Sequence, residues 1–346
     1  MDKYKNALKI AGVYTGLVIG AGFASGREII TFFTSYGDIW PVGMMFTGVL
    51  LSAFGWMILT IIEKDKIKTY KDFLKTIMGE KTAAITEVVS GLFLCILFFA
   101  MVSASGSLLN EAFGIDRILG SALLSLLCLI IFGGGVDKLI GINSLLSPLM
   151  IIGTVLVCVV TYLCETQTAV FIEETVVKMP YMVFFSAVIY VSYNVISSVS
   201  VMVQMKDIVN SDKKSKFGAL IGGAAMSILG LMMGAVLITD KFLPAQFDIP
   251  MLAVINERAN VINYVYILVL IGAIITTAVG NGYGAVKWIE NSTGVDSVLV
   301  EAFLCISAVL FSFIGFAGFT DVIYPLFGFI GLIEMFCIFK CFLTHK

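Results

Sequence analysis

The residues whose type and spacing could do chemistry are glycines and small hydroxyls set inside apolar segments. Gly20, Gly22 and Gly26 crowd the centre of GVYTGLVIGAGFASGREIITFF, and a glycine costs about 1 kcal/mol against alanine in a helix interior. A helix interrupted there frees N–H groups at the start of its outer half, where the macrodipole favours an anion. It also frees carbonyls at the end of its inner half, where a cation is favoured. A zwitterion or a salt ion fits such a gap, which makes Gly20, Ala21, Gly22, Phe23, Ala24, Ser25 and Gly26 candidate solute-binding positions. The same glycines, with Gly12 and Gly16, are also spaced for close helix packing. A second polar cluster, Ser192, Tyr193, Asn194, Ser197, Ser198 and Ser200, lies in the apolar segment YVSYNVISSVSVM. Polar groups there need partners, supplied either by a solute or by neighbouring helices.

Other chemistries are excluded by what the chain lacks. GAGFASG is not GxGxxG and follows an apolar run rather than a strand, so it is no nucleotide loop. The single histidine, His345, sits at the chain end, which removes imidazole catalysis and most zinc chemistry. Seven cysteines contain no CxxC, GGGVD at 133–137 lacks the GxGD spacing of an aspartyl protease, and no HExxH is present, so an enzyme is not expected. Neither rings of charge nor repeated pore segments suggest a channel. No cofactor is implied. Glu28, Glu87, Glu111 and Glu334 fall toward the ends of apolar segments and are expected at the interface. Glu28 is expected to pair with its neighbour Arg27, its alternative role being that of a gate or a proton carrier. With no charge left at mid-membrane, the expected solute is a net-neutral zwitterion or an uncharged ring compound rather than a polyamine or a dicarboxylate.

The elements that must position these residues are membrane spans. Of 346 residues, 59% are apolar and 13% charged, and the mean hydropathy is +1.01. Apolar runs approach or pass the roughly 20 residues that cross a bilayer as helix. They lie near 8–33, 40–62, 84–110, 117–135, 142–164, 181–204, 216–238, 261–286, 297–316 and 319–341. The first run continues to Phe33, too far for a cleaved signal peptide. With the N-terminus inside, 17 of the 22 Lys and Arg residues fall in inside connections and five outside, as retention of positive charge requires. A ten-span, multi-pass protein of the cell membrane with both termini cytoplasmic follows.

The halves correspond in span order. A hydrophilic insert with an amphipathic helix, KTYKDFLKTIMGEK, follows the second span, and TDKFLPAQFDIPMLAVINERAN follows the seventh. Five spans per unit put the second unit upside down, the inverted repeat of many transporters. The expected units are residues 1–164, with a cytoplasmic insert at 63–82, and 165–346, with an external insert at 239–260. Spans 1 and 6, at matching positions, are expected to be discontinuous.

On GLVIGAGFASGREI, the ten spans and the matched inserts, the chain resembles the amino acid–polyamine–organocation superfamily, with its LeuT-type five-plus-five fold. More narrowly it is similar to the YkvI-like permeases. That resemblance implies a secondary active transporter of a small solute, an amino acid first among candidates, coupled to Na+ and working by alternating access; the alternatives are a proton-coupled or nucleobase-type transporter, or a membrane sensor or scaffold that has lost transport. It implies that the backbone N–H groups of Ala21 and Gly22 bind the solute carboxylate, with Phe23 and Tyr193 flanking it. In GAIITTAVGNGYG it implies a Na+ site made by the carbonyls of Gly16, Ile19 and Ala273 and the hydroxyls of Thr276 and Thr277. Two such threonines can equally back-bond to their own helix. The lysine that replaces sodium in proton-coupled relatives is missing from INSLLSPLMIIGTVLVCVVTYL. The expected partners are a small-molecule solute and the lipid bilayer, with no nucleic acid; spans 9 and 10 are where a protein partner would pack.

Overall fold

The computed structural model describes residues 5–133, 136–164, 179–239, 246–258 and 260–344, and every regular element among them is helical. Gly134 and Gly135 of GGGVD, most of the junction between the expected halves, part of the second insert, Lys3, Lys178, Lys241, His345 and Lys346 lie outside the described residues. Seven described helices are long and apolar enough to cross a bilayer, and Arg117–Phe132 and Leu149–Leu163 are shorter apolar helices.

The first apolar run is absent from those seven because it is broken into α1 (Lys5–Val18), α2 (Ala21–Ala24) and α3 (Arg27–Phe32). The chain continues as α4 (Trp40–Lys64), α5 (Tyr70–Met78), α6 (Glu80–Phe113), α7 (Arg117–Phe132), α8 (Val136–Leu163) and α9 (Val183–Gln204). Then come α10 (Lys206–Ser211), α11 (Phe217–Thr239), α12 (Pro250–Arg258), α13 (Asn260–Thr293), α14 (Ser297–Phe311), α15 (Phe316–Gly318) and α16 (Tyr324–Thr344). A π-helical turn at Phe319–Ile323 joins the last two.

Local chemistry sets several boundaries. The amphipathic α5 starts at a capping box in which Thr69 Oγ1 accepts from Asp72 N–H and Asp72 Oδ2 accepts from Thr69 N–H, both at 3.1 Å. It buries Phe73, Leu74 and Ile77 and leaves Lys71 and Lys75 in solvent. There the bonded carboxylate of Glu80 raises the pKa of Lys75. α6 and α13 are each 34 residues long. They end on the left-handed glycines Gly114 (φ 68°) and Gly294 (φ 70°), where a side chain would be strained. Two residues on, Asp116 and Asp296 cap the next helices, accepting from Ile118 and Leu119 N–H and from Val298 N–H respectively.

One expectation is overturned: α9 is continuous from Val183 to Gln204. It holds no glycine or proline, and its small polar side chains bond into their own helix. Asn194 donates to Tyr190 O, Ser197 and Ser198 donate to Asn194 O, and Ser200 donates to Ser197 O. Back-bonding of this kind satisfies the polar groups without opening the backbone.

α4 packs on α11 and α9, α1 on α11, α6 on α7 and α13, α13 also on α8, and α16 on α9. At the α4–α11 contact the two backbones nearly touch. A Cβ on Gly48 would lie 3.1 Å from Gly223 O, and one on Gly223 would lie 2.8 Å from Gly48 O. Such close approach is what small residues permit between helices in lipid. Outward, Leu126 and Ile130 of α7, Phe303, Ile306 and Leu310 of α14, and Ile333 and Phe336 of α16 are exposed. This apolar skin belongs against hydrocarbon.

Candidate functional site

The break in the first apolar run is built by the glycines that predicted it. α1 stops at Val18, Gly20 is extended (φ −82°, ψ −178°), and its N–H donates to Val18 O at 2.8 Å. The second interruption needs Gly26, whose φ of +82° disfavours any side chain, and a Cβ there would also meet Leu237 at 3.1 Å. The α2 turn between them is fully buried. Its carbonyls are taken up by neighbours: Tyr266 OH donates to Ala24 O at 2.9 Å, Met251 N–H to Ser25 O at 2.9 Å, and Ser25 Oγ to Gly22 O at 2.9 Å. α12 and α13 thus pin the interrupted segment in place.

Glu28 was expected at the interface, paired with Arg27. Instead it is 5% exposed, and its carboxyl lies against the break itself. A Cβ on Gly22 would stand 1.9 Å from Glu28 Oε1, so the glycine is what makes room for the carboxyl. Across from it are the hydroxyls of Tyr193 and Tyr190. Glu28 Oε2 and both hydroxyls nevertheless lack a hydrogen-bond partner of normal geometry. Around them the rings of Phe32, Tyr190, Tyr193 and Tyr324 pack edge-on or tilted, with centroids 5.3–5.7 Å apart.

Arg27 points the other way. Its guanidinium forms a salt bridge with Asp321 on the π-helical turn and donates to Phe247 O at 3.0 Å, while Thr31 Oγ1 donates to Asp321 Oδ1 at 2.5 Å. α3, the start of α16 and the residues before α12 are thereby tied together above the break.

Of the other predicted solute residues, Phe23 is fully buried, but no ring contact joins it to Tyr193 among the described residues. Ser192 faces away from the break, donating to Ile189 O at 2.8 Å and to Gly328 O of α16. Asn194 and Ser197 are occupied within α9. The residues expected to hold Na+ converge in part. Thr277 Oγ1 lies 3.4 Å from where a Cβ on Gly20 would stand, so α13 meets the end of α1. Ile19 and Ala273 are wholly buried, and Gly16 is half-buried one turn back on α1. Thr276 donates to Gly272 O at 2.9 Å and to Ala273 O at 3.1 Å, the back-bonded alternative, with Met150 Sδ at 3.6 Å.

Sequence reasoning missed Tyr190, Asp321 and Tyr324. The signal for Tyr190 was its three-residue spacing from Tyr193, which puts both rings on one helix face; the signal for Asp321 was an acid inside an apolar run. Glu334, also expected at the interface, is 2% exposed with neither oxygen bonded. Glu87 keeps its interfacial place, 3.3 Å from Lys71.

No protein-family model matches the chain. It is 31% identical over 330 residues to the uncharacterized membrane protein YkvI of Bacillus subtilis (strain 168), across 94% of this chain and 93% of that protein. It is 22% identical over 323 residues to the uncharacterized protein YyaD of the same organism, across 93% of each. Among solved structures, a Na+-coupled sialic acid symporter in a substrate-bound, outward-open state aligns with a TM-score of 0.57 and 16% identity, over 95% of this chain and 78% of that one. A manganese transporter of Eremococcus coleocola aligns with a TM-score of 0.61 and 10% identity, over 89% of this chain and 70% of that one. At these identities the structural likeness is one of fold.

Proposed function

The chain belongs to the YkvI family of membrane proteins and is folded like solved membrane transporters, and on that premise we propose that it has the LeuT-type fold and is a secondary active transporter of a small zwitterionic or neutral solute, an amino acid in this reading. Na+ is the proposed coupling ion and alternating access the proposed mechanism. One observation carries the reading: the interruption of the first helix, buried inside the bundle, brings polar groups that lack a hydrogen bond of normal geometry among the described residues against α9, and the end of α1 against α13.

The broken first run, the seven long helices, and the two shorter apolar helices make ten spans in this reading, arranged as repeats over 1–164 and 165–346. Exchanging each span for the one five places on converts the α1–α11 contact into α9–α4 and the α6–α7 contact into α13–α14, and leaves α4–α11 and α6–α13 paired with themselves. The shared ending of α6 and α13, a left-handed glycine and then a capping aspartate, supports the same exchange. The lysine distribution supports cytoplasmic termini, which would place α5 inside and α12 outside. In the proposed cycle the spans containing α1–α3, α4, α9 and α11 rock against α6, α7, α8 and α13. Na+ would bind where Thr277 meets Gly20, since oxygen ligands suit hard cations.

Uptake of the common amino acids into proteoliposomes, under an inward Na+ gradient and under a matched K+ gradient, tests this. Na+-dependent accumulation, lost in the Thr276→Ala, Thr277→Ala double variant, is the expected result. Absence of uptake under every gradient would remove the transport reading. A second reading, proton coupling, is favoured by one observation, the carboxyl of Glu28 buried at the break. Uptake driven by an inward pH gradient and indifferent to Na+ would select it.

A further inference from the structure

Glu28 is a buried carboxyl group in an aromatic surround, and no cationic side chain pairs with it among the described residues. Its neighbour Arg27 is engaged with Asp321. From α9, Tyr190 and Tyr193 present their hydroxyls to the Glu28 carboxyl, with no hydrogen bond of normal geometry to either among the described residues. From α16 comes Tyr324, 5.3 Å from Tyr193 between ring centroids, and from α6 comes Phe93, 6.3 Å from Tyr193. Glu28, Tyr190, Tyr193, Tyr324 and Phe93 are each at most 5% exposed. An ionised carboxylate in such a place is costly unless a positive charge joins it.

The surroundings narrow what that charge can be. A hard metal ion collects several oxygen ligands, and no second Asp or Glu joins Glu28 in a group of three His, Cys, Asp or Glu side chains among the described residues. Aromatic faces around one carboxylate suit an organic cation, whose charge is attracted by the ring quadrupoles while its C–H groups pack on the rings. The two tyrosine hydroxyls can accept from the remaining N–H groups of a primary ammonium. An anionic or carboxylate-only ligand would meet the Glu28 charge unopposed.

We infer that Glu28, ringed by Phe32, Tyr190, Tyr193 and Tyr324, receives the ammonium group of the bound solute. The inference rests on the transporter reading for the solute to be cargo, and it narrows that cargo to amine-bearing compounds, zwitterionic or cationic. It corrects the expectation of a site without charge and removes uncharged ring compounds from the candidates. The carboxyl rests on Gly22.

The test is thermal stabilisation of the purified full-length protein at fixed pH in KCl, with three matched sets of probes. These are alanine, leucine and phenylalanine, their decarboxylated amines (ethylammonium, isoamylammonium and phenethylammonium), and their 2-hydroxy-acid analogues, with uracil as the neutral ring compound. In at least one set the ammonium-bearing members should raise Tm and the hydroxy acid should not. Glu28→Gln should weaken that binding roughly 10- to 100-fold, the usual effect of losing a charged hydrogen-bond partner, and Glu28→Asp should retain part of it. Should Glu28→Gln fail to fold, Tyr193→Phe takes its place, with a several-fold loss expected. Stabilisation by a hydroxy acid or uracil equal to that of the ammonium probes would overturn the inference. So would a shift that survives Glu28→Gln, or no shift with any ammonium probe. Proteoliposome uptake separates the two readings: uptake of uracil or a hydroxy acid sinks the ammonium assignment and keeps transport, whereas ammonium binding without uptake under any gradient keeps the site and removes transport.

Discussion

Arg27 and Glu28 are neighbours in sequence, and about 100° of helical rotation per residue is enough to send their charges apart. Arg27 crosses to Asp321, and Glu28 turns onto Gly22. Each arrangement makes a prediction. In Gly22→Ala the new methyl would coincide with the Glu28 carboxyl, but the far end of a flexible side chain can swing away. The fold should therefore stand, with a Tm change of a few degrees, while solute-induced stabilisation disappears; a full ligand shift in this variant would contradict the contact. In Asp321→Asn the Arg27 guanidinium, 10% exposed, loses the charge of this partner and keeps its bond to Phe247 O. A loss of about 1–3 kcal/mol is expected, below the 3–5 typical of a fully buried pair because Asp321 is partly solvated, and chemical denaturation in detergent measures it. Of these facts the sequence made only the glycines legible. The inward turn of Glu28 depends on the helical phase after Gly26, which a left-handed residue resets, so no count of apolar spacing could have found it.

At the scale of elements, two helices expected to break behave differently, and the reason is chemical. The α1–α3 segment has glycines where backbone must bend or be approached closely, whereas α9 has serines and an asparagine that return their hydrogen bonds to its own carbonyls. Polarity was a misleading signal for a break in α9, and the lack of glycine and proline there was the better one. The amphipathic α5 was legible from its charged and apolar residues, whereas its Thr69 cap emerged only with the structure. The parallel between Gly114–Asp116 and Gly294–Asp296 was also present in the sequence, but it spans only three residues, and it acquires meaning only once both are seen to end helices of equal length. Gly26→Ala should cost about 1–2 kcal/mol for the left-handed backbone alone, read as a lowered midpoint of unfolding. Hydrogen exchange should distinguish the two helices directly: amides of α9 around Asn194 should be protected well beyond those of 20–27, where several amides have no helical acceptor. Equal protection would mean that the interruption is not a lasting feature.

For the whole molecule, the question is what holds each end of the bundle closed over the break. At the α5 end Lys216 pairs with Glu63 at 2.5 Å, and Lys206 donates to Lys68 O at 2.9 Å. At the other end Asp248 gathers Ser107 Oγ at 2.7 Å, Arg117 at 2.8 Å and Ala317 N–H at 3.1 Å, and Glu111 accepts from the amides of Asp248 and Ile249. α12 begins just beyond this knot, and the Met251 amide of α12 is what holds Ser25 O at the break. Loosening Asp248 should therefore loosen the cover over residues 24–26 before it unfolds anything, because Arg117 is half exposed and can return to water. A cysteine placed at Ala24 should react with a membrane-impermeant maleimide several-fold faster in Asp248→Ala than with Asp248 intact, measured in whole cells with the half-buried Cys164 and Cys337 changed to serine. An unchanged rate would show that the knot does not govern access. The same experiment reports orientation: acceleration seen only after the cytoplasmic face is opened to the reagent would reverse the topology that the lysines imply, and acceleration in intact cells would place α12 and its knot on the outer surface.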